Sequence, residues 1–354
     1  MKILFDGPFH SSPKAGVVLY FNRLACELYL SCKEIYFSRR QILSSSDGYS
    51  HIKLPIFPHF RPHKVSFFFE KIINQLNLRG IPNILHPTEF DLSPTGAFYH
   101  SKGAKIVITV HDLIHEKFDG PGSIFNPKRR FDFYSTASGF IFVSKSTKRD
   151  FSKHYPSLYE SRPSKVIWHG CNFSTQSTVS PKKKQFLFVG SRDGYKNFSN
   201  ACIAFEKTLK LDKKCTLAII GSPPSNKDLR IVERFNSQVL WVNHPSHKTL
   251  KTLYAESLGL LYVSKYEGFG MPLLEAMSQG CVPIAGNHSS IPEVIGDAGI
   301  VVDVNEPTEI SEAMLKILNN SHLFNDLVQQ GFKRTQAFSW SKTAEETLSF
   351  YQSL

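Results

Sequence analysis

The feature that most constrains the fold is an alternation of short, continuously apolar runs with longer stretches of helical spacing. Strand-type runs read KILFDG (2–7), KIVITVHD (105–112), GFIFVS (139–144), KVIWHG (165–170), FLFVGS (186–191), TLAIIG (216–221), LLYVS (260–264) and CVPIAG (281–286). Helical patterns lie between them, most clearly at 17–30, 197–211, 245–257 and 307–320. Strands that are apolar on both sides, each followed by a helix, predict parallel sheets covered on both faces. The polar, aperiodic stretch CNFSTQSTVSPKKKQ at 171–185 reads as a linker. A chain of 354 residues then divides into about two α/β domains. Residues 40–65, rich in Pro, Ser and His, read as irregular.

Charge is distributed unevenly along this frame. Residues 1–170 hold 23 Lys/Arg against 13 Asp/Glu, whereas residues 185–354 hold 16 against 17. A basic N-terminal half suits an anionic partner, such as a phosphorylated substrate, a membrane surface or a nucleic acid, as well as a merely solvated surface. No glycine-aromatic nucleic-acid module accompanies the charge, so nucleic acid is not expected as a partner. The six cysteines form no CxxC pair, so neither a zinc ribbon nor a disulfide scaffold is indicated, and a reducing, cytoplasmic compartment fits best. Neither a signal peptide nor a membrane-spanning run is read in the sequence.

In open parallel sheets, ligands bind beyond the carboxyl ends of the strands. The segment YEGFGMPLLEAMSQGC (266–281) follows such an end. Gly268 and Gly270 admit a ligand close to the backbone. Pro272 suits the first turn of a helix, whose N–H groups from Met271 through Leu273 and Leu274 form an anion site. Phe269 lies within the same turn. Glu275, on the helix, is placed to accept two hydrogen bonds from a ribose diol. Glu267, before the turn, is placed to hold hydroxyls of a second sugar. One acid on each side of a phosphate cradle suits a nucleotide-diphosphate sugar; the alternative is a capping glutamate beside a surface one.

The stretch 266–303 resembles the signature of the retaining glycosyltransferases of family four, which have the GT-B fold. VHDL (110–113), FVSKSTKRDF (142–151), FVGSRDGYKNF (188–198) and FSWSKTAEETLSFY (338–351) resemble further family segments, in the family's order. The resemblance implies two Rossmann-like domains facing one interdomain cleft. The first spans 1–170 and binds the acceptor. A linker covers 171–184, and the nucleotide-sugar domain 185–337. A terminal helix at 338–354 crosses back to the first domain.

The resemblance also implies roles for individual residues. Lys196 and Arg192 neutralise the departing pyrophosphate; the family often has Arg where this chain has Tyr195. His111 hydrogen-bonds the donor sugar, and Asp112 orients the acceptor or His111, or caps the next turn. Gly190 and Gly16 belong to glycine loops near the phosphates, although residue 15 is alanine where a second glycine is usual. Glu267 recognises the donor sugar, in a front-face displacement that needs no dedicated base. Asn197 reads as the cap of the next helix, and Glu293 as a packing or capping residue.

No cofactor and no metal ion is expected, since no Asp-x-Asp motif stands at a strand end. The expected activity is hexosyl transfer to a glycan or lipid-linked acceptor in bacterial surface-polysaccharide assembly. Mannose from GDP-mannose is favoured over UDP-glucose, UDP-galactose or UDP-N-acetylglucosamine. A non-catalytic nucleotide-sugar-binding subunit and an epimerase of the same fold are the alternatives. The basic residues Lys128, Arg129, Arg130, Lys145, Lys148 and Arg149 are expected near an anionic membrane surface on its cytoplasmic face, whereas the phenylalanines of the aromatic segment 64–76 read first as core packing and second as lying near the acceptor or the bilayer.

Overall fold

The computed structural model describes residues 1–6, 16–31, 34–37, 80–88, 92–118, 126–192 and 194–354. The chain divides into two compact units. Unit 1 comprises Met1–Gly170 with Trp340–Leu354, and unit 2 comprises Cys171–Ser339.

Unit 1 holds β1 (Ile3–Asp6), β2 (Ile35–Phe37), β3 (Ile84–Pro87), β4 (Lys105–Val110), β5 (Gly139–Phe142) and β6 (Ser164–Val166), in the order β2-β1-β3-β4-β5-β6. Every pair is parallel, with Ile3 opposite Ile35 on one side and Ile84 on the other. Such pairing needs crossovers, and helices supply those that fall among the described residues. Leu4, Leu85, Ile106, Ile108, Phe140 and Phe142 form one core with Tyr134 and Phe151 from covering helices. The intervening Ile3, Val107 and Ile141 are equally buried, so both faces are covered.

The terminal helix Trp340–Ser353 belongs to this unit and packs on the helix Gly16–Ser31. Thr343 donates to the Trp168 carbonyl at 2.7 Å. A Cβ on Gly139 would stand 2.9 Å from Phe350 Cζ, so β5 begins with the residue that lets the returning helix approach.

Unit 2 holds β7 (Lys183–Val189), β8 (Thr216–Gly221), β9 (Val239–Asn243), β10 (Ser257–Tyr262), β11 (Val282–Gly286) and β12 (Ile300–Val302), in the order β12-β11-β10-β7-β8-β9. All pairs are again parallel. Phe186, Phe188, Leu217, Ile219, Leu261 and Ile284 pack with Phe198 and Phe205 in one core, while Leu187 and Ala218 are buried between them in sequence.

The stretch expected as a linker packs on unit 2 instead. Phe173 is buried against His247 and Tyr254, Gln176 N–H donates to the Ser278 carbonyl, and Thr175 pairs with Thr335. Its polar composition is used in hydrogen bonds to the helix Met271–Ser278 and its neighbours. Strands β2, β3, β9 and β12 were not expected from the apolar runs. Three of them have three or four residues, and β9 is only half-buried, so their hydrophobic signal is weak. Residues 40–65, residues 64–76 and residues 7–15 before Gly16 lie outside the described residues.

Candidate active site

Unit 2 changes direction at β7. The chain lays β8 and β9 to one side of it, then returns to place β10 and β11 on the other. The crevice beyond the carboxyl ends of β7 and β10 is therefore a topological switch point, where open α/β sheets bind ligands. Two segments of interest leave the sheet here: Gly190–Asn197 after β7 and Ser264–Glu275 after β10.

They meet through an ion pair. Lys196, on the 3-10 turn Gly194–Lys196, places Nζ 2.6 Å from Glu267 Oε1. Nζ also lies 5.3 Å from the ring centre of Tyr195 and 5.8 Å from that of Tyr262. Glu267 is only 7% exposed and shares a hydrogen bond with the Tyr262 hydroxyl. Burial and the adjacent carboxylate hold that phenol well above its ordinary pKa, so it remains neutral. A cation and an anion this sheltered make a strong local field.

The helix Met271–Ser278 begins beside them. Gly270 has φ +106° and a Cβ there would stand 2.9 Å from Leu273, so only glycine fits. The residue at the N-cap is this glycine, which has no side chain to cap with. Leu273 and Leu274 turn their side chains into the core, and Phe269 packs edge-on against Phe338 at 6.0 Å, so those three serve through backbone or by packing. Met271 and Pro272 are partly exposed, and Gly268 is buried.

Glu275, 8% exposed, is held differently. Asn172 Nδ2 donates to its Oε1 at 2.9 Å, and the Tyr254 hydroxyl donates to Oε2 at 3.2 Å. No cation is among those partners, and burial outweighs the two hydrogen bonds, raising its pKa to about 7. Each oxygen keeps acceptor capacity for a further hydroxyl.

Arg192 stands apart from the Lys196 pair. Its Nε lies 2.9 Å from Asp228 Oδ2, and its Nη2 donates to the carbonyls of Ser222 and Pro223 at 3.1 and 2.8 Å. Its guanidinium also lies 5.6 Å from the Trp241 ring centre. Burial pushes the Asp228 carboxyl up, but donors from Ser225 and Arg192 outweigh it and hold it below its ordinary value. Asn197 takes the N-cap position of the following helix, as expected, but its side chain makes no capping bond. It has φ +58° and gives Nδ2 to the Val304 carbonyl, tying the loop to the end of β12. Gly190, at φ +125°, ends the β7 turn, with no described atom within 4 Å of where a Cβ would stand. Glu293 lends its carbonyl to Arg334 Nη2 at 2.5 Å.

In unit 1 the carboxyl end of the sheet collects histidines. His111 follows β4, with Tyr20 edge-on at 5.0 Å, Phe21 at 5.8 Å and His169 at 5.9 Å. Its Nε2 is buried and has no hydrogen-bond partner among the described residues. Burial lowers its pKa to about 4. His86, in β3, is lowered to about 3 by burial and by His111, and bonds Tyr351 and Thr109 at 2.5 and 2.8 Å. His169 is lowered for the same reasons and stacks on Trp340 at 5.8 Å.

Asp112 accepts from the N–H of Ile114 at 3.0 Å, at the start of the helix Ile114–Phe118. Gly16 is the exposed first residue of its helix. Arg130 corrects an expectation: it is 7% exposed and faces Glu116 at 3.8 Å, because it lies on the inward side of its helix with Phe133 and Tyr134. Lys128, Arg129, Lys145 and Arg149 are exposed, and Lys148 is half-buried over Tyr159.

Asn172, Tyr254 and Asp228 were not singled out in the sequence. Asn172 sat in a presumed linker, Tyr254 on an ordinary amphipathic helix, and Asp228 in a Ser-x-x-Asp capping pattern that signals only a helix start.

Residues 172–334 match the family model of glycosyl transferases group 1. O-antigen chain mannosyltransferase B of Escherichia coli is 30% identical over 173 residues, which cover 48% of this chain and 45% of that protein. A sucrose-phosphate synthase of Spinacia oleracea is 24% identical over 208 residues, 53% of this chain and 19% of that protein. The matches thus span less than half the length of these curated relatives. Among solved structures, Anabaena HepE in complex with UDP and glucose superposes with a TM-score of 0.78 at 15% identity, covering all of both chains. Sucrose-phosphate synthase from Thermosynechococcus elongatus gives 0.76 at 16%, covering 100% of this chain and 99% of that one. The fold is that of the GT-B glycosyltransferases.

Proposed function

Because residues 172–334 match the family model of the glycosyl transferases group 1, we propose that this protein is a retaining hexosyltransferase acting on a nucleotide-diphosphate sugar. The observation that carries the reading is the sheltered Lys196–Glu267 pair at the switch point of unit 2, beside the start of the helix Met271–Ser278. Lys196 and the helix N–H groups stabilise the negative charge that builds on the leaving diphosphate. Glu267 holds donor-sugar hydroxyls, and Glu275 the ribose diol. His111, kept neutral by burial, bonds a sugar hydroxyl through Nε2. The acceptor hydroxyl oxygen attacks the anomeric carbon as its bond to the β-phosphate oxygen breaks. The leaving phosphate takes the hydroxyl proton, so the step needs no metal and no separate base.

Mannose from GDP-mannose is the favoured donor, supported by the similarity to the Escherichia coli O-antigen mannosyltransferase, with a UDP-hexose as the second choice. The acceptor is a glycan or a lipid-linked glycan of a bacterial surface polysaccharide. Peripheral attachment at the inner membrane face is supported by exposed Phe131 on the helix that carries Lys128 and Arg129, and by exposed Phe118 at the end of the helix Ile114–Phe118. No helix among the described residues is long and apolar enough to cross a membrane.

The test is a calorimetric screen of GDP-mannose, UDP-glucose, UDP-galactose and UDP-N-acetylglucosamine, each beside its free nucleotide, on wild type and Glu275→Ala. One responding nucleotide class, lost in the variant, is expected. A folded protein that responds to none would remove the transferase reading.

A further inference from the structure

The loop after β11 sets three consecutive side chains against a single length of main chain. His288 Nε2 lies 2.9 Å from the Ser264 carbonyl and, as the N–H tautomer, donates to it. The N–H of Glu267 donates to Ser289 Oγ at 3.0 Å. The Ser290 hydroxyl lies 2.9 Å from the Glu267 carbonyl and 2.8 Å from that of Phe269, and shares its one proton between them. Both main-chain polar groups of Glu267 therefore end on side chains of adjacent serines.

Ser289 sits at φ +53°, a conformation that disfavours every residue with a Cβ and suits glycine. Glycine would relieve the strain but would bring no oxygen to the Glu267 amide. Strain retained where a hydroxyl is in use is a mark of a functional position. The carboxylate braced in this way is the one that meets Lys196.

We propose that Ser289 and Ser290 are positioning residues that fix the main chain of Glu267, and through it the direction in which the carboxylate meets the donor sugar. This rests on the donor-site reading above and deepens it: the serines govern recognition of the sugar and leave recognition of the nucleotide to Glu275 and its partners. A substitution at Ser289 then separates sugar from nucleotide.

The experiment compares full-length wild type, Ser289→Ala and Ser289→Gly. Each is titrated by calorimetry with GDP-mannose, GDP, UDP-glucose and UDP, followed by thermal unfolding and amide hydrogen exchange at Glu267. In both variants, the nucleotide sugar that wild type accepts should bind about 10-fold more weakly, the worth of one well-placed hydrogen bond. Its free nucleotide should stay within about twofold, and the Glu267 amide should exchange faster. The glycine variant should unfold about 2–4 °C above the alanine variant, having shed the strain. Binding and stability thus move apart, which a merely structural role does not produce. An unchanged ratio of nucleotide-sugar to nucleotide affinity in both variants overturns the proposal. So does sugar affinity that follows the unfolding temperature, lost in Ser289→Ala and kept in Ser289→Gly. Wild type that binds none of the four ligands overturns the donor-site reading itself, and with it this inference, before any variant is compared.

Discussion

Each sheet has six parallel strands and a change of direction, although the strand orders differ, and their carboxyl ends are built from opposite materials. Unit 2 gathers charge there: Lys196 against Glu267, with Glu275 nearby on the next helix. Unit 1, among its described residues, gathers His86, His111 and His169, ringed by Tyr20, Phe21 and Trp340 and held uncharged by burial. The same scaffold thus gives one end suited to a diphosphate and another suited to neutral hydroxyls. A charged end must keep its ions paired, whereas a neutral end must keep water and protons out.

Removing the cation should break the comparison most sharply. Lys196→Ala leaves Glu267 sheltered and unpaired, which should cost about 3 kcal/mol of stability and lower kcat/KM about 10²–10³-fold. The double variant Lys196→Met, Glu267→Gln should recover most of the stability and none of the activity, as read by thermal unfolding beside donor turnover. If activity returned with stability, the pair would be structural.

At the neutral end, His111→Ala should reduce turnover about 10–10²-fold through loss of one hydrogen bond to the sugar. Wild-type turnover should show no histidine inflection near pH 6.5, because His111 stays neutral down to about pH 4. The same burial makes unit 1 sensitive to acid. A histidine whose folded pKa is depressed gives its full contribution above its ordinary value of 6.5 and loses it as pH falls towards that folded value. Unit 1 should therefore unfold at lower temperature between pH 6 and pH 4. Tryptophan fluorescence of Trp340, stacked on His169, reports on it.

Glu275 tests the middle case, a carboxylate held by neutral donors alone. Its raised pKa means that the fold favours the protonated form, with a contribution present at low pH and lost as pH rises from about 4.5 to about 7. A ribose diol needs the carboxylate as acceptor, so nucleotide affinity should rise about tenfold from pH 6 to pH 8. Binding below pH 7 should release a proton, measurable by calorimetry in buffers of different ionisation enthalpy. Glu275→Gln should flatten the profile.

The smallest effect is expected at Arg192. Its charge is engaged by Asp228 and two carbonyls. Arg192→Ala should lower the unfolding temperature of unit 2 while changing turnover by no more than about threefold. A loss as large as that of Lys196→Ala would show that Arg192 leaves Asp228 to grip the diphosphate.

The alternation of apolar runs and helical spacing was enough to read two parallel α/β units, because burial on both faces of a strand leaves a local, continuous signal. The glycine turn and its two glutamates were legible for the same reason: Gly270 and Pro272 are local requirements of a strand-to-helix turn. What each acid touches was not local. Glu267 meets Lys196 from 71 residues away and Ser289 from 22, while Glu275 meets Asn172 from 103. No spacing rule covers contacts that a sheet makes by laying β10 beside β7. Arg192 and Arg130 looked like available cations because charge is visible in a sequence and pairing is not. Tertiary structure alone decided that Asp228 and Glu116 would engage them, that Glu275 would be buried without a cation, and that three distant histidines would share one uncharged site. Desolvation and partner geometry set those states, and both exist only once the strands have been assembled.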